Sequence, residues 1–175
     1  MLCDRNPQAQ NALLAFSEYL RVNMDSLSQT QPIPFETELR HVKQYLWLEK
    51  LRFEERLRVE YDIRTTDFML PVLTVQPVAE NAVYHSLFKN GRGGTVTIKT
   101  EETDNSFRIT VVDNGLGFNP AQPPENNGRS HDGRSHLGIE NVRSCLATMC
   151  GGTLAIRSIL GAGTTVMIEI PKTKI

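Results

Sequence analysis

Asp113, Asn114, Gly115 and Gly117 stand in the stretch DNGLGF, directly after the apolar run FRITVV. Asp-Asn-Gly is a strong turn signal, because Asn and Gly tolerate positive φ. The same residues suit a second purpose. A carboxylate at a strand end can accept a hydrogen bond from an exocyclic amine, and neighbouring glycines let a flat ring approach the backbone. A tight turn and a ligand loop both satisfy the stretch taken alone. Glu80, Asn81 and His85 lie close together in QPVAENAVYH, among Val78, Ala79, Ala82 and Val83. An acid and an amide in such company are costly unless satisfied. They either face water from a helix edge or form an oxygen-ligand site, and an Asn carbonyl oxygen suits Mg²⁺ that keeps its waters and bridges phosphates. A third stretch, GRSHLGIENV (133–142), runs a Gly/Ser/His loop into a helix. Backbone N–H groups at a helix start hold phosphate, although any helix entered from a flexible loop has this look. In chain order 81, 113–117 and 133–138, the three stretches are the parts of an ATP site.

The elements that must position them follow from periodicity. Residues 7–27 read as a helix with Leu13, Phe16 and Leu20 at helical spacing, and Pro7 suits its first turn. SQTQPIP (28–34) breaks it, and residues 35–55 form a second helix with Leu39, Val42, Leu46 and Phe53 down one face. Tyr45, Trp47, Leu48 and Leu51 widen that stripe beyond the needs of one partner helix, so the hairpin is expected to pack on something more, a second copy being the natural candidate. From Arg56 the texture alternates. Residues 56–63 read as a strand, 70–89 as a helix entered at or between its prolines, and 94–103 with 106–114 as a hairpin around Asp104-Asn105. A Gly/Pro/Asn/Ser-rich segment without periodicity then leads to a helix at 137–150 and two closing strands joined by LGAG. So long a structureless segment in a compact domain points to a functional loop or to disorder. The fold class is α/β: a two-layer sandwich of a mixed, mostly antiparallel sheet with helices on one face, preceded by an N-terminal helical hairpin.

The bulk composition narrows the classes. The chain has 175 residues, 39% hydrophobic and 22% charged, as in a soluble globular protein. A net charge of −1 without a basic block argues against nucleic acid as a partner. The longest charge-free stretch, FMLPVLTVQPVA, is short for a membrane span and is broken by prolines, and MLCDRN is no signal peptide. Cys3, Cys145 and Cys150 lack metal-ligand spacing and read as reduced thiols in a cytosolic setting, Cys145 and Cys150 as small packing residues.

The three ordered stretches resemble the N, G1 and G2 boxes of the histidine-kinase ATPase domain in the gyrase/Hsp90/histidine-kinase/MutL superfamily, whose architecture is the Bergerat-type ATP-binding fold. ELRHVKQYLWLEKLRFEERLRVEYDI followed by LPVLTVQPVAENAVYHS is similar to the LytS/YesM-type sensor histidine kinases, in which a helical dimerisation segment precedes the ATPase domain. The resemblance implies residues 1–55 as part of the dimerisation and phosphotransfer segment and 56–175 as the catalytic ATP-binding domain. It assigns Asn81 to Mg²⁺, Asp113 to the adenine amino group, Gly115, Gly117 and Phe118 to the adenine pocket, and Thr164 to a water-mediated adenine contact. Leu137, Gly138 and Ile139, with His136 before them, match the segment whose backbone approaches the phosphates. Glu80 matches the acid of the family's Glu-Asn pair, with a role in polarising or orienting near Mg²⁺. His85 matches the histidine closing the N box, contacting phosphate or capping its helix. Tyr84 lines the nucleotide site in place of a lysine that many relatives carry, so one charged phosphate contact is lost. Pro77 replaces the glutamate with which hydrolysing relatives activate water, which favours a kinase over an ATPase.

The expected activity is that of a two-component protein-histidine kinase. The γ-phosphate of Mg·ATP passes to a histidine and then to an aspartate of a response regulator, under a lid formed by residues 119–136. In the family the phosphorylated histidine sits in a PHF-x-x-N segment before the first helix. His41, His85, His131 and His136 have no such context. The chain is therefore expected to bind ATP or ADP with Mg²⁺ without labelling itself. It is read as the cytoplasmic piece of a bacterial membrane receptor that is a homodimer at full length, touches the membrane only through its missing N-terminal part, and binds no nucleic acid. The rival readings are a stand-alone ATPase of the superfamily, an anti-sigma-factor-like Ser kinase, and a degenerate scaffold that binds no nucleotide.

Overall fold

The computed structural model describes residues 7–26, 31–87, 93–118 and 134–172. Helix α1 (Pro7–Ser26) is followed by the two-residue strand β1 (Ile33–Pro34), helix α2 (Phe35–Phe53) and a 3₁₀ turn at Glu54–Arg56. Strands β2 (Leu57–Ile63) and β3 (Met69–Leu70) lead to helix α3 (Gln76–Leu87). Strands β4 (Gly94–Glu102) and β5 (Ser106–Asp113), helix α4 (Arg134–Cys150), and strands β6 (Thr153–Ile159) and β7 (Gly163–Pro171) complete the chain. The main sheet has the order β2-β4-β5-β7-β6, with β2 parallel to β4 and every other pair antiparallel. This is the expected mixed sheet. The pairing of β1 with β3 was not expected from sequence, because two residues carry no periodicity.

Strand alternation decides which side chains face the helices. On β5, Ile109, Val111 and Asp113 are buried while Arg108, Thr110 and Val112, which alternate with them, are not. On β7 the buried set is Thr164, Val166, Ile168 and Ile170. The core closes between these residues, α2 (Phe35, Val42, Leu46), α3 (Val78, Ala79, Val83) and α4 (Val142, Leu146). On the other face, Arg108 bridges Glu101 on β4 and Glu169 on β7, at 2.8 and 2.7 Å. Aromatic stacking of Phe35 on Phe68 and Phe68 on Phe107, with ring centroids 4.6 and 4.9 Å apart, binds the start of α2 to the sheet.

The broad stripe on α2 is largely consumed inside the chain: Leu39, Val42 and Leu46 are buried in the core, and Trp47 stays exposed. Helix α1 instead leaves Leu13, Leu14, Phe16, Leu20 and Met24 exposed. Its tie to α2 is the Gln44 amide donating to the Ala15 carbonyl at 3.2 Å and the stacking of Tyr19 on Tyr45 at 5.9 Å. Cys145 is exposed and so is not the packing residue expected, whereas Cys150 is partly buried and donates from Sγ to the Leu146 carbonyl. No described helix is long and apolar enough to cross a membrane.

One buried acid holds the entrance to α3. The Glu38 side chain on α2 is only 1% exposed. Its Oε1 accepts the N–H of Val75 at 2.9 Å and of Gln76 at 3.2 Å, and its Oε2 accepts that of Leu73 at 3.1 Å. A helix start leaves N–H groups without intrahelical partners, and here a neighbouring helix supplies the acceptor. Leu73 takes φ +56° to aim its N–H, an uncommon conformation for a side chain branched at Cγ. Burial pushes the Glu38 carboxyl above its usual range, and the backbone N–H groups of Val75, Gln76, Leu73 and Thr74 oppose that shift. Replacing Glu38 with Ala strands these donors and opens a void, so urea titration is expected to show a loss of about 2–4 kcal/mol. A raised folded-state value makes the acid's contribution complete below its ordinary pKa of 4.5 and smaller as pH rises through the folded value. The stability of wild type relative to Glu38→Gln is therefore expected to fall as pH rises above 4.5; a constant difference contradicts the assignment.

Candidate functional site

A cavity of about 430 Å³ lies between the sheet, α3 and α4, a volume suited to a small organic ligand. Its walls are apolar through Val78, Ala82, Val111, Ile139, Ile156 and Val166. Polar groups enter at a few points: Asn81 and His85 from α3, Asp113 and Thr164 from the sheet, Glu140 and Arg143 from α4. Helical spacing explains the α3 wall. Val78, Asn81, Ala82 and His85 recur at i, i+3, i+4 and i+7 and share one face.

Asp113 reaches this cavity because it ends β5 on the inward parity of Ile109 and Val111. It is 5% exposed, and its Oδ1 accepts the Gly115 N–H at 2.8 Å. Its register partners are Val96 and Thr164. Thr164 Oγ1 lies 2.9 Å from Ser158 Oγ, which accepts the Phe118 N–H at 2.8 Å and donates to the Gly163 carbonyl at 3.2 Å. Ser158 thus locks the loop after Asp113 onto the β6–β7 turn. Asn114 points the other way: its Oδ1 accepts the Thr95 N–H at 2.8 Å, closing the end of the β4–β5 pair.

The glycines act differently from the simple expectation that they clear space for a ring. A Cβ on Gly115 would stand 2.3 Å from the His85 carbonyl oxygen, and one on Gly117 would stand 2.1 Å from that of Ile159. Gly117 also takes φ +59°. They let the loop press against α3 and the β6–β7 turn, and so give the cavity its shape from behind. Phe118 then turns into the cavity wall.

The other expected residues separate into two groups. Asn81, His85, Asp113, Phe118, Ile139 and Thr164 are brought together around the cavity. Glu80 points away from it. Its Oε1 accepts the Tyr19 hydroxyl and the Gln76 side-chain amide, each at 3.0 Å, so α3 is joined to α1 through the residue preceding Asn81. A direct catalytic position for Glu80 does not match this placement. Glu49 lies close by, its carboxyl raised above the usual range by burial and by the Glu80 charge, with Arg52 opposing. Tyr84 is half-exposed and sets its ring edge against His85 at 5.3 Å, outside the cavity wall.

Helix α4 starts at Arg134, earlier than the expected 137. Leu137 is among its first four residues, whose N–H groups lack intrahelical acceptors, while Gly138 and Ile139 lie beyond them. Ile139 is buried and lines the cavity. A Cβ on Gly138 would lie 3.7 Å from the Cβ of Pro77, so α3 and α4 approach closely there. The His136 and Leu137 side chains and residues 119–133, most of the expected lid, lie outside the described residues.

Sequence reasoning missed Glu38, Glu140, Arg143, Ile156 and Ser158. Ser158 could have been found by alternation, since it shares the inward parity of Leu154 and Ile156. Arg143 could have been found by its i+4 spacing from Ile139.

The donor set can be tested against nucleotide and Mg²⁺. Among the described residues no group of three or more His, Cys, Asp or Glu could cage a metal. A single amide oxygen from Asn81, lining an otherwise largely apolar cavity, fits a cation that arrives on phosphates with its waters. A buried carboxylate with Thr164 beside it fits the polar edge of a flat base.

The comparisons with known proteins agree with this geometry. A family model described as histidine kinase-, DNA gyrase B- and HSP90-like ATPase matches residues 67–174, and a histidine kinase model matches residues 1–57. The sensor histidine kinase YpdA of Escherichia coli K12 is 33% identical over 168 residues, covering 95% of this chain and 29% of that protein. The sensor protein LytS of Bacillus subtilis 168 is 30% identical over 170 residues, covering 94% of this chain and 28% of that protein. The chain thus spans under a third of the length of these two relatives. The histidine kinase domain of the Erythrobacter litoralis EL346 blue-light activated kinase superposes with a TM-score of 0.60 at 20% identity, covering 91% of this chain and 74% of that one, and so shares the fold. With the model match running through α3, the Asp113 loop and α4, the chain belongs to the family of histidine kinase-, DNA gyrase B- and HSP90-like ATPases.

Proposed function

We propose that this chain is the Mg·ATP-binding catalytic part of a two-component sensor histidine kinase. The observation that carries the reading is the buried Asp113 carboxylate, set at the end of an inward-facing strand into an apolar cavity, with Asn81 on the wall supplied by α3. Asp113 accepts the exocyclic amine of adenine, while Val111, Ile156 and Val166 exclude water from the ring. Thr164, oriented by Ser158, supports the same edge of the base. Asn81 gives its amide oxygen to the cation, and His85, one turn on, faces the phosphates. Bound Mg²⁺ neutralises the charge that builds on the transferring phosphoryl group.

Pro77 stands against Gly138 at the start of α3 and has no side-chain proton acceptor. That supports transfer to a protein group over hydrolysis. In the whole protein the acceptor is read as a histidine, and the phosphoryl group then moves to an aspartate of a response regulator. Residues 1–55 are read as part of the dimerisation and phosphotransfer segment and 56–175 as the nucleotide domain. The exposed apolar side chains of α1 support a dimer of the whole protein, and the likeness to sensor proteins supports a place on the cytoplasmic side of a membrane receptor.

Thermal unfolding with and without Mg·ATP tests the reading. Saturating nucleotide at about 100 times its dissociation constant is expected to raise the midpoint by about 5–10 °C. EDTA is expected to reduce that shift in wild type, and Asn81→Ala is expected to show the reduced shift whether or not Mg²⁺ is present. No shift in wild type contradicts nucleotide binding. A shift in Asn81→Ala that still responds to Mg²⁺ contradicts the role of Asn81.

A further inference from the structure

Arg143 is the one Lys or Arg among the described residues lining the cavity. It follows the buried wall residue Ile139 by four positions on α4, so both lie on the face turned to the cavity. Long side chains on a helix lean back towards its N-terminus. Here that brings Arg143 Nη1 to 2.8 Å from Glu140 Oε1, at the level of Ile139. Asn81 and His85 line the same cavity from α3.

We infer that Arg143 is the phosphate-recognising cation of this site, parked on Glu140 until an anionic ligand takes its place. The inference rests on the nucleotide reading above and adds a residue and an exchange to it. The pair is a neighbouring i,i+3 contact with side chains 45% and 65% exposed, a type that contributes little to stability. A guanidinium can offer two parallel N–H groups to a phosphate, and such charge-assisted bonds are stronger than an exposed ion pair in water. The described charges support the need for it. Glu140 lines the cavity on α4, so without Arg143 an uncompensated acid would stand on that wall as the polyphosphate enters. With Arg143 released from Glu140, the fork is free to turn into the cavity, across from the α3 wall where Asn81 would hold the cation.

The test is equilibrium binding of Mg·ATP and of adenosine to the whole chain, as wild type and as Arg143→Gln, Arg143→Lys and Glu140→Gln. Adenosine carries the base without phosphates. Arg143→Gln is expected to weaken Mg·ATP about tenfold while leaving adenosine within about twofold. Arg143→Lys is expected to recover part of the loss, since it keeps the charge but not the fork. Glu140→Gln is expected to tighten Mg·ATP by about two- to threefold by releasing the guanidinium. An Arg143→Gln variant that loses Mg·ATP and adenosine equally, or neither, overturns the inference while leaving the nucleotide reading intact. A wild type that binds neither ligand overturns the nucleotide reading itself, and this inference with it. Unchanged ligand-free unfolding midpoints in the variants establish that any loss is at the site.

Discussion

Asp113 sits where the middle strand of a five-stranded sheet leaves the sheet, on the face that also carries Ile109 and Val111. A carboxylate at such a place costs several kcal/mol unless hydrogen-bond donors answer it. The chain meets the demand locally, by folding the next residues back so that the Gly115 N–H points at Oδ1. That fold-back constrains everything nearby. Gly115 must lie against the His85 carbonyl, Gly117 must turn through positive φ, and Gly163 must pass Asp113 so closely that a Cβ there would stand 2.0 Å from its backbone oxygen. Ser158 then fastens both strands of the turn to the loop. These contacts hold the loop in place without a ligand, and a site shaped in advance lowers the ordering cost of binding.

The second constraint is the placement of α3, which carries Asn81 and His85. Glu38 on α2 caps its start, and Glu80 on its flank holds the Tyr19 hydroxyl of α1. The helix that faces the cavity is thus gripped at its start by one helix of the N-terminal hairpin and on its side by the other. Any shift of the hairpin acts on α3 through two hydrogen-bonded carboxylates. The cavity wall and the hairpin are joined in this way, with Glu80 as one of the links.

Much of this was legible in the sequence. The apolar run FRITVV placed the strand and the acid after it, the helix read at 70–89 placed Asn81 near His85, and the three stretches in order pointed to the fold. What sequence could not show was direction. Glu80 and Asn81 are adjacent residues of similar polarity, and only packing of α1 and α2 sends one outwards and the other to the cavity. The close backbone approaches of Gly115 to His85 on α3 and of Gly117 to Ile159 before β7 were not legible, because both partners are distant in the chain. Glu38 was hidden among the ordinary acids of an amphipathic helix, because its partners come from a distant segment. The start of α4 was placed late, since Arg134, Ser135 and His136 carry no apolar periodicity.

The central claim is that the Asp113 carboxylate reads the amine of adenine. It is tested most directly by calorimetric binding of ATP and of inosine triphosphate, which replaces that amine with a carbonyl oxygen, to wild type and Asp113→Asn. A carboxylate facing a carbonyl forfeits a charge-assisted hydrogen bond, so wild type is expected to favour ATP by at least about tenfold. The Asn variant, which can donate as well as accept, is expected to lose most of that preference. Equal affinity of wild type for the two nucleotides, or a preference that survives Asp113→Asn, would contradict the account.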